Sequence, residues 1–374
     1  MAADREPRTW IDVSAAMTQR AGIARYVRGI TEALVKLDPE TLGTYSHSWT
    51  TPGAQPFGVA HAGSSASARA WRMRLIIGHL LHLTVLPGLD CFETFLATDL
   101  AFPFAPPDRV VVTVHDLTAM THPAMHSPLT RLFTRFMLAG LKTRRHRIIA
   151  VSHRTARDLA THAGIEPARV KVVYPGVAEV FHQMPDTERT RTVLSKYSLT
   201  PPFVLSVGTL EPRKNLRRLI AAFEDIAKPS ETLVIVGGRG WGSEVGLDAQ
   251  YRNSSQVRVI GFVPDADLAC LYHSCQVFVM PSLYEGFGSP IAEALACNAR
   301  VICSNQCGAI ELADGQVTLV DPLRKSEIAD SLRQHLDDRQ TRPAQTSHKV
   351  HSYNDTALQL LQVFPDFIEA YSTL

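Results

Sequence analysis

Short apolar runs alternate with helix-like segments throughout the second half of this 374-residue chain. Each run is rich in Val, Ile or Leu and is followed by Gly, Pro or a polar residue. When a helix connects two strands of one sheet, the second strand usually runs parallel to the first. This alternation therefore predicts a doubly wound parallel sheet. The predicted strands are Phe203–Val207, Thr232–Val236, Val257–Ile260, Val277–Met280, Arg300–Cys303 and Val317–Val320.

The first half repeats this α/β order less regularly. Its clearest strand is Arg109–Val114, a β-branched run typical of a strand covered on both faces. Further strands are predicted at residues 9–13, 148–151 and 170–173, and helices at residues 23–37, 71–86, 127–147 and 153–163. Residues 43–70, rich in Ser, Ala, Gly and Thr, are expected to be irregular. We therefore expect an N-terminal domain at residues 1–180 and a C-terminal domain at residues 181–355.

Composition narrows the class of protein. The net charge of +2 gives no reason to expect a nucleic-acid partner. The six cysteines form no C-x-x-C pair, which favours reduced and mostly buried thiols. The first ten residues lack the apolar core of a signal peptide, and the apolar stretch Leu75–Leu89 is too short and too polar to span a bilayer. These features predict a cytoplasmic protein.

The segment from Gln276 to Ala296 combines a strand, a loop with two glycines and a helix start. Ser289 is a suitable N-cap, and Pro290 suits the first helical position. Backbone N–H groups and the helix dipole would meet at this loop, which favours a phosphate. Glu285 and Glu293 flank the loop, and carboxylates suit sugar hydroxyls. The alternative is an exposed loop Glu and a helix-start Glu that only favours the dipole.

A second phosphate signal follows the strand Phe203–Val207. Arg213 and Lys214 precede Asn215, a suitable N-cap for a helix at residues 216–228. Two cations at a helix start oppose the dipole, and a bound anion would remove that conflict.

Two features of the first half are weaker indications of a ligand site. His115 follows the strand Arg109–Val114, at the edge of the sheet where ligands bind in open α/β folds. Gly22 lies in the first strand-to-helix loop. Taken alone, either residue is as well explained by an ordinary structural role.

Residues 127–147 are predicted to form a basic amphipathic helix, with six Arg or Lys residues from Arg131 to Arg147. Such a helix can lie on an anionic membrane surface. The alternative is a solvated helix whose cations favour its C-terminus.

These segments together resemble the retaining family 4 glycosyltransferases (group 1), which have the GT-B fold. The resemblance covers about residues 9–372 and rests on an ordered set of segments rather than on one motif. The matching segments are the E-x7-E pattern from Glu285 to Glu293, residues 208–215, Val114-His115-Asp116, Ala150-Val151-Ser152, residues 173–177, and Gly261-Phe262-Val263 followed by residues 265–272.

The resemblance implies two Rossmann-like domains facing a cleft, with a last helix within residues 356–374 that packs back on the N-terminal domain. The catalytic residues would be His115, Arg213, Lys214 and Glu285. Glu293 would bind the ribose of the donor. The other donor-binding residues would be Gly22, Gly208, Phe262, Val263, Tyr284, Gly286, Phe287 and Gly288.

The activity that the resemblance implies is transfer of a hexose from a nucleotide diphosphate sugar to a saccharide or polyprenyl-linked saccharide, as in O-antigen and lipopolysaccharide assembly. Residues 211–215 resemble those of mannosyl- and rhamnosyltransferases, which favours a GDP-linked donor. We expect no cofactor and no metal, since no D-x-D-type acidic pair stands at the site. The chain departs from the family pattern at Asn298-Ala299, at the single glycine of the first loop and at residues 307–311. A phosphorylase, a sugar-nucleotide epimerase and a non-catalytic partner subunit remain alternatives.

Overall fold

A computed structural model describes residues 7–18, 22–48, 55–89, 91–240, 242–313, 315, 317–338 and 350–363. The chain forms two units, one of Met1–Gly176 together with the chain from His351 onward, the other of Val177–Val350. Each unit contains one parallel sheet.

The first unit has a seven-stranded sheet with the order β3-β2-β1-β4-β5-β6-β7. Its elements, in chain order, are β1 (Thr9–Asp12), α1 (Ser14–Thr18), α2 (Ile23–Leu37), β2 (Leu42–Ser46), β3 (Ala60–Gly63), α3 (Ala68–Leu81), β4 (Thr94–Ala97), β5 (Val110–Val114), α4 (Thr118–Thr121), α5 (Pro128–Thr143), β6 (Arg147–Ala150), α6 (His153–Ala163) and β7 (Val170–Val172).

The second unit has a six-stranded sheet with the order β10-β9-β8-β11-β12-β13. Its elements are α7 (Glu179–His182), α8 (Thr187–Lys196), β8 (Phe203–Val207), α9 (Leu216–Glu224), β9 (Thr232–Val236), α10 (Leu247–Gln250), β10 (Val257–Gly261), α11 (Asp265–Ser274), β11 (Val277–Met280), α12 (Ser289–Ala296), β12 (Val301–Ser304), β13 (Val317–Val320) and α13 (Lys325–Asp337). The six strands predicted for this half are confirmed. The helix predicted at residues 216–228 ends earlier, at Glu224.

A last helix, α14 (Tyr353–Leu361), returns to the first unit. Its buried Ala357 and Leu360 belong to the same core cluster as Tyr26 and Ile30 of α2. The Thr356 hydroxyl donates to the carbonyl of Tyr174, 2.9 Å away. The part of the predicted helix beyond residue 363 lies outside the described residues.

Two predictions for the first unit are wrong. Residues 43–70 are not irregular throughout, because they contain most of β2 and all of β3. The small residues of β3 are only half-buried, as befits an edge strand, and so give no apolar run. The predicted helix at residues 71–86 runs instead from Ala68, after the Ser67 cap, to Leu81, where His82 has a left-handed conformation.

The predicted helix at residues 127–147 is also too long. Helix α5 ends at Thr143, Arg144 is extended, and Arg147 begins β6. The Arg144 guanidinium lies over the ring of Phe104, and Arg147 donates to the carbonyl of Val363. Two of the cations assigned to the basic helix therefore make internal contacts.

The strand orders place a topological switch point in each sheet. In the first sheet the order reverses between β1 and β4, and in the second between β8 and β11. Open α/β sheets bind ligands outside the carboxyl ends of the strands at such points. The loops that follow these four strands are therefore the expected places for a binding site.

Candidate functional site

Arg213, Lys214 and Glu285 meet at the switch point of the second sheet. Arg213 and Lys214 lie in a short 3-10 turn after β8, and Glu285 lies in the loop after β11. Arg213 Nη1 donates to Glu285 Oε2 at 2.5 Å, and Lys214 Nζ donates to Glu285 Oε1 at 2.7 Å. The two phosphate signals found in the sequence thus belong to one cluster.

Glu211 is a member of this cluster that the sequence analysis did not assign to the site. Its Oε1 accepts a hydrogen bond from Arg213 Nη2 at 2.5 Å, and its side chain is buried. Two cations and two carboxylates therefore balance within the cluster. A bound anion is therefore not required to relieve the two cations, because Glu211 and Glu285 already do so.

The electrostatics of Glu285 follow from its neighbours. Burial raises the pKa of its carboxyl, but the Arg213 and Lys214 cations oppose this and hold the pKa at about 2, below the ordinary 4.5. Glu285 is therefore a carboxylate at any physiological pH. It can accept hydrogen bonds but cannot act as a general acid there.

Backbone contacts hold the two loops together. The N–H of Leu283 donates to the carbonyl of Arg213 at 2.8 Å, and Arg213 Nη1 also donates to the carbonyl of Tyr284 at 3.0 Å. Asn215 is not a side-chain N-cap as predicted: it has a left-handed conformation, and its Nδ2 donates to the carbonyls of Pro281 and Pro322. Asn215 thus ties the loop after β8 to the loop after β11.

Helix α12 begins at the other side of the same loop. Ser289 is its first residue rather than its N-cap, which is Gly288 with φ 100°, a left-handed conformation that suits glycine. Glu293 is buried, and its Oε2 accepts a hydrogen bond from the hydroxyl of Tyr272 at 3.1 Å. Tyr272, on α11, is a contact that the sequence analysis missed.

The other predicted donor-binding residues, apart from Gly22, lie around this edge of the second sheet. Gly208 follows β8, and a Cβ there would lie 3.0 Å from Cε of Lys214. Phe287 is buried, and its carbonyl accepts from the N–H of Ala309 at 2.7 Å. Val263 is buried and Phe262 is half-exposed after β10. The roles of these residues, and of Gly286 between Glu285 and Phe287, stay predictions.

His115 lies at the carboxyl edge of the first sheet, after β5. Its Nε2 donates to the carbonyl of Thr98 at 2.9 Å, and its ring packs edge-on against Tyr26 with 4.9 Å between ring centroids. Burial lowers the pKa of His115, so the imidazole is neutral at pH 7 and Nδ1 is an acceptor. Gly22, also predicted for the site, precedes α2 with φ 59°.

Two carboxylates at the switch point of the first sheet were missed. Asp12 ends β1 and Asp99 follows β4. Burial, together with the nearby Asp99 charge, raises the pKa of Asp12 from 3.8 to about 7. A cavity of about 510 Å³ opens beside them, lined among others by Asp99, His115 and His47. The sequence carried one usable signal, since Asp12 closes a predicted strand, but β4 itself was not predicted.

Three further observations on the described residues concern metal ions, membranes and cysteines. No set of three or more His, Cys, Asp and Glu side chains in the described ranges could hold a metal ion. None of the described helices is long and apolar enough to cross a membrane. Five of the six cysteines, all but Cys91, are buried, which confirms the prediction of mostly buried thiols.

Comparison with known proteins agrees with the two-unit fold. A model of the glycosyl transferases group 1 matches residues 190–351, and a model of Glycosyltransferase Family 4 matches residues 20–179. Between them the two models cover most of the chain. The chain belongs to the group 1, family 4 glycosyltransferases. Its two parallel Rossmann-like sheets are those of the GT-B fold, as the sequence predicted.

Individual relatives match a smaller part. The chain is 32% identical over 240 residues to O-antigen chain mannosyltransferase B of Escherichia coli, covering 62% of each chain. It is 26% identical over 242 residues to an N-acetylgalactosamine-N,N'-diacetylbacillosaminyl-diphospho-undecaprenol 4-alpha-N-acetylgalactosaminyltransferase of Campylobacter jejuni, covering 63% of each. This chain therefore spans less than two thirds of these relatives' length. Anabaena HepE, solved with UDP and glucose, has the same fold (TM-score 0.67, 17% identity, 98% of this chain and 100% of that one).

Proposed function

We propose that this family member is a retaining glycosyltransferase of bacterial polysaccharide or O-antigen assembly. The donor would be a nucleotide diphosphate sugar, with GDP-mannose or a GDP-linked rhamnose favoured. The acceptor would be a saccharide or a polyprenyl-linked saccharide. The observation that carries the proposal is the cluster of Arg213, Lys214 and Glu285 at the switch point of the second sheet. The relatives named for O-antigen mannose transfer support the choice of sugar.

The cluster suits departure of a diphosphate. Breaking a sugar–phosphate bond builds negative charge on the leaving oxygens, and fixed cations stabilise that charge without reorganisation. Arg213 and Lys214 are held in place by carboxylates, so they are already oriented when the donor arrives. Their position supports a mechanism that needs no metal. Glu285, ionised and an acceptor only, would take hydrogen bonds from hydroxyls of the transferred sugar.

Retention of the anomeric configuration is proposed to follow from attack on the same face that the diphosphate leaves, with a leaving phosphate oxygen helping to take the acceptor proton. His115, neutral with an acceptor Nδ1, is proposed to face the donor sugar. The cavity beside Asp99 is proposed to hold the acceptor. Peripheral contact with the inner face of the cytoplasmic membrane belongs to the same proposal.

Calorimetry tests the donor site directly. GDP, UDP, ADP and dTDP are titrated into the wild type, into Arg213→Ala, and into the control Arg191→Ala, whose exposed arginine pairs with Glu188 on α8. We expect one nucleotide to bind selectively, at least about tenfold weaker binding to Arg213→Ala because a charge-assisted contact is lost, and no change for the control. Binding of no nucleotide, or equal binding to wild type and Arg213→Ala, would refute the assignment.

Product analysis separates the alternatives. A glycosyltransferase releases nucleotide diphosphate only when acceptor is present, whereas an epimerase converts the donor alone. A phosphorylase would need inorganic phosphate, and a non-catalytic subunit would bind nucleotide without turnover. NMR of the anomeric proton in the product tests retention. A chelator tests the metal-independent mechanism. Unchanged activity would support it, whereas activity that is lost with the chelator and restored by divalent cations would refute it.

A further inference from the structure

The exposed apolar side chains of the first unit concentrate in one region. Seven large apolar residues between 44% and 73% exposed lie on α3, in the loop after it and at the start of α5. We call them the α3–α5 surface: Met73, Ile77, Leu80, Leu81, Leu83, Leu129 and Leu132. Scattered exposed leucines are normal on a protein surface, but a concentration of this size marks an interaction site.

Helices α3 and α5 present these side chains on the same side of the sheet. The inner faces of both helices belong to one core cluster, which includes Leu75 of α3 and Met137 of α5. The helices also contact each other, since the Arg72 guanidinium lies 5.1 Å from the ring centroid of Phe133. Because both pack their inner faces on the same side of the sheet, their outer faces form one outward surface.

The two segments that form this surface carry charge of a single sign. No Asp or Glu occurs in residues 41–89 or in residues 117–157, the two segments that contain α3 and α5. The charged residues there are all basic, and Arg69, Arg135, Lys142 and Arg145 are exposed. Apolar side chains with basic neighbours and no acids are typical of an element that lies in the headgroup region of an anionic membrane.

We propose that the α3–α5 surface docks on an anionic lipid bilayer, with its leucines in the interface and its arginines and lysines at the lipid phosphates. This extends the predicted membrane contact from residues 131–147 to α3 and the start of α5, and it leaves out Arg144 and Arg147, which make internal contacts. The surface is too polar and its helices too short to span the bilayer, so the contact is peripheral.

The position of the surface relates the membrane to the acceptor, a step that rests on the proposed function. The cavity beside His115 and Asp99 is also lined by Trp71 and Arg72 of α3 and by Phe133 of α5. The helices that would touch the lipid therefore form part of the cavity wall. A saccharide carried on a membrane lipid diphosphate could enter this cavity while its lipid stays in the bilayer.

Vesicle sedimentation tests the docking surface. The whole chain is mixed with phosphatidylcholine vesicles that either contain or lack phosphatidylglycerol, at low and high salt. The variants are L80E/L81E, the charge reversal R69E/R135E, and the control L323E, which changes a leucine of similar exposure in the second unit. All changed side chains are exposed, so the folded state should be retained.

We expect the wild type and L323E to bind only the anionic vesicles, and salt to weaken that binding. L80E/L81E should bind at least about tenfold more weakly, because two leucines no longer enter the interface. R69E/R135E should lose the dependence on anionic lipid. Each variant should bind nucleotide like the wild type, so failure of the docking proposal can be distinguished from failure of the donor-site assignment.

Three results would overturn the proposal. The first is no binding of the wild type to anionic vesicles, and the second is equal binding by the wild type and L80E/L81E. The third is a wild-type dimer that L80E/L81E converts to a monomer, without vesicle binding by either. That last result would assign the surface to a second copy of the chain.

Discussion

Replacing Glu285 with glutamine separates the charge of this buried group from its shape. Glutamine keeps the size of the side chain and one acceptor oxygen, but it removes the negative charge that Arg213 and Lys214 share. Arg213 keeps its contact with Glu211, whereas Lys214, also buried, loses its carboxylate partner. The variant should therefore fold with a net positive cluster and unfold more easily.

The size of the effect follows from the pKa of Glu285. The difference between the ordinary pKa of 4.5 and the folded value of about 2 corresponds to about 3 kcal/mol of stability at neutral pH. Because the folded pKa is lowered, this contribution is complete above about pH 5 and is lost as the pH falls toward 2. Removal of one partner of a buried ion pair costs a similar amount, about 3–5 kcal/mol.

Urea denaturation of the wild type and Glu285→Gln at a series of pH values between about 4 and 7 measures the effect. The free energies of unfolding should differ by about 3 kcal/mol at pH 7 and by less at pH 4. The control Glu188→Gln removes a carboxylate from an exposed pair with Arg191 and should cost less than about 1 kcal/mol. Pyrophosphate should stabilise Glu285→Gln more than the wild type, because an anion can replace the lost carboxylate. Equal stabilities at pH 7, or a difference independent of pH, would show that the ion pairs do not hold this site.

Three further predictions test the fold and the charges. Gly237→Ala should lower the free energy of unfolding by about 1–3 kcal/mol, because its Cβ would lie 1.8 Å from the carbonyl oxygen of Gly208. The control Gly238→Ala, with open space around its Cβ, should unfold like the wild type. Equal losses of stability in the two variants would contradict this. A thiol reagent should rapidly modify only the exposed Cys91 in the native protein, and all six cysteines after denaturation. Mass spectrometry counts the labels. Rapid labelling of several cysteines in the native protein would contradict the burial of the other five. Asp12→Asn should be up to about 4 kcal/mol more stable than the wild type at pH 8 and equal to it near pH 4. The reason is that a raised carboxyl pKa destabilises the folded state as the pH rises through 7. A difference in stability that does not change with pH would refute this reasoning.

Most strands of the second unit could be predicted because they are apolar on both faces and are followed by a turn residue. Phe203–Val207 and Val277–Met280 are fully buried, so every position carries the signal. The first unit is less readable because β3 is a half-buried edge strand of small residues, and β4 is only four residues long. Local patterns do not reveal a strand whose burial depends on distant neighbours.

The charged cluster was predictable in part. The positions of Arg213 and Glu285 after predicted strands were enough to place them at one sheet edge. The atoms that they contact could not be predicted, because this pairing depends on the strand order, in which β8 and β11 are neighbours. Glu211 was missed for the same reason. In the sequence it looks like part of the loop before Arg213 and Lys214, and only the structure shows that it pairs with Arg213.

The electrostatics of the two switch points differ, and the difference bears on which ligand each unit takes. In the second unit two cations and two carboxylates balance, so a diphosphate can replace carboxylate oxygens around Arg213 and Lys214 at small electrostatic cost. In the first unit burial, together with the charge of the nearby Asp99, raises the pKa of Asp12 to about 7. An acidic edge repels phosphates but offers acceptors for the hydroxyls of a neutral sugar. The charges therefore support the proposal that the diphosphate binds to the second unit and the acceptor saccharide to the first.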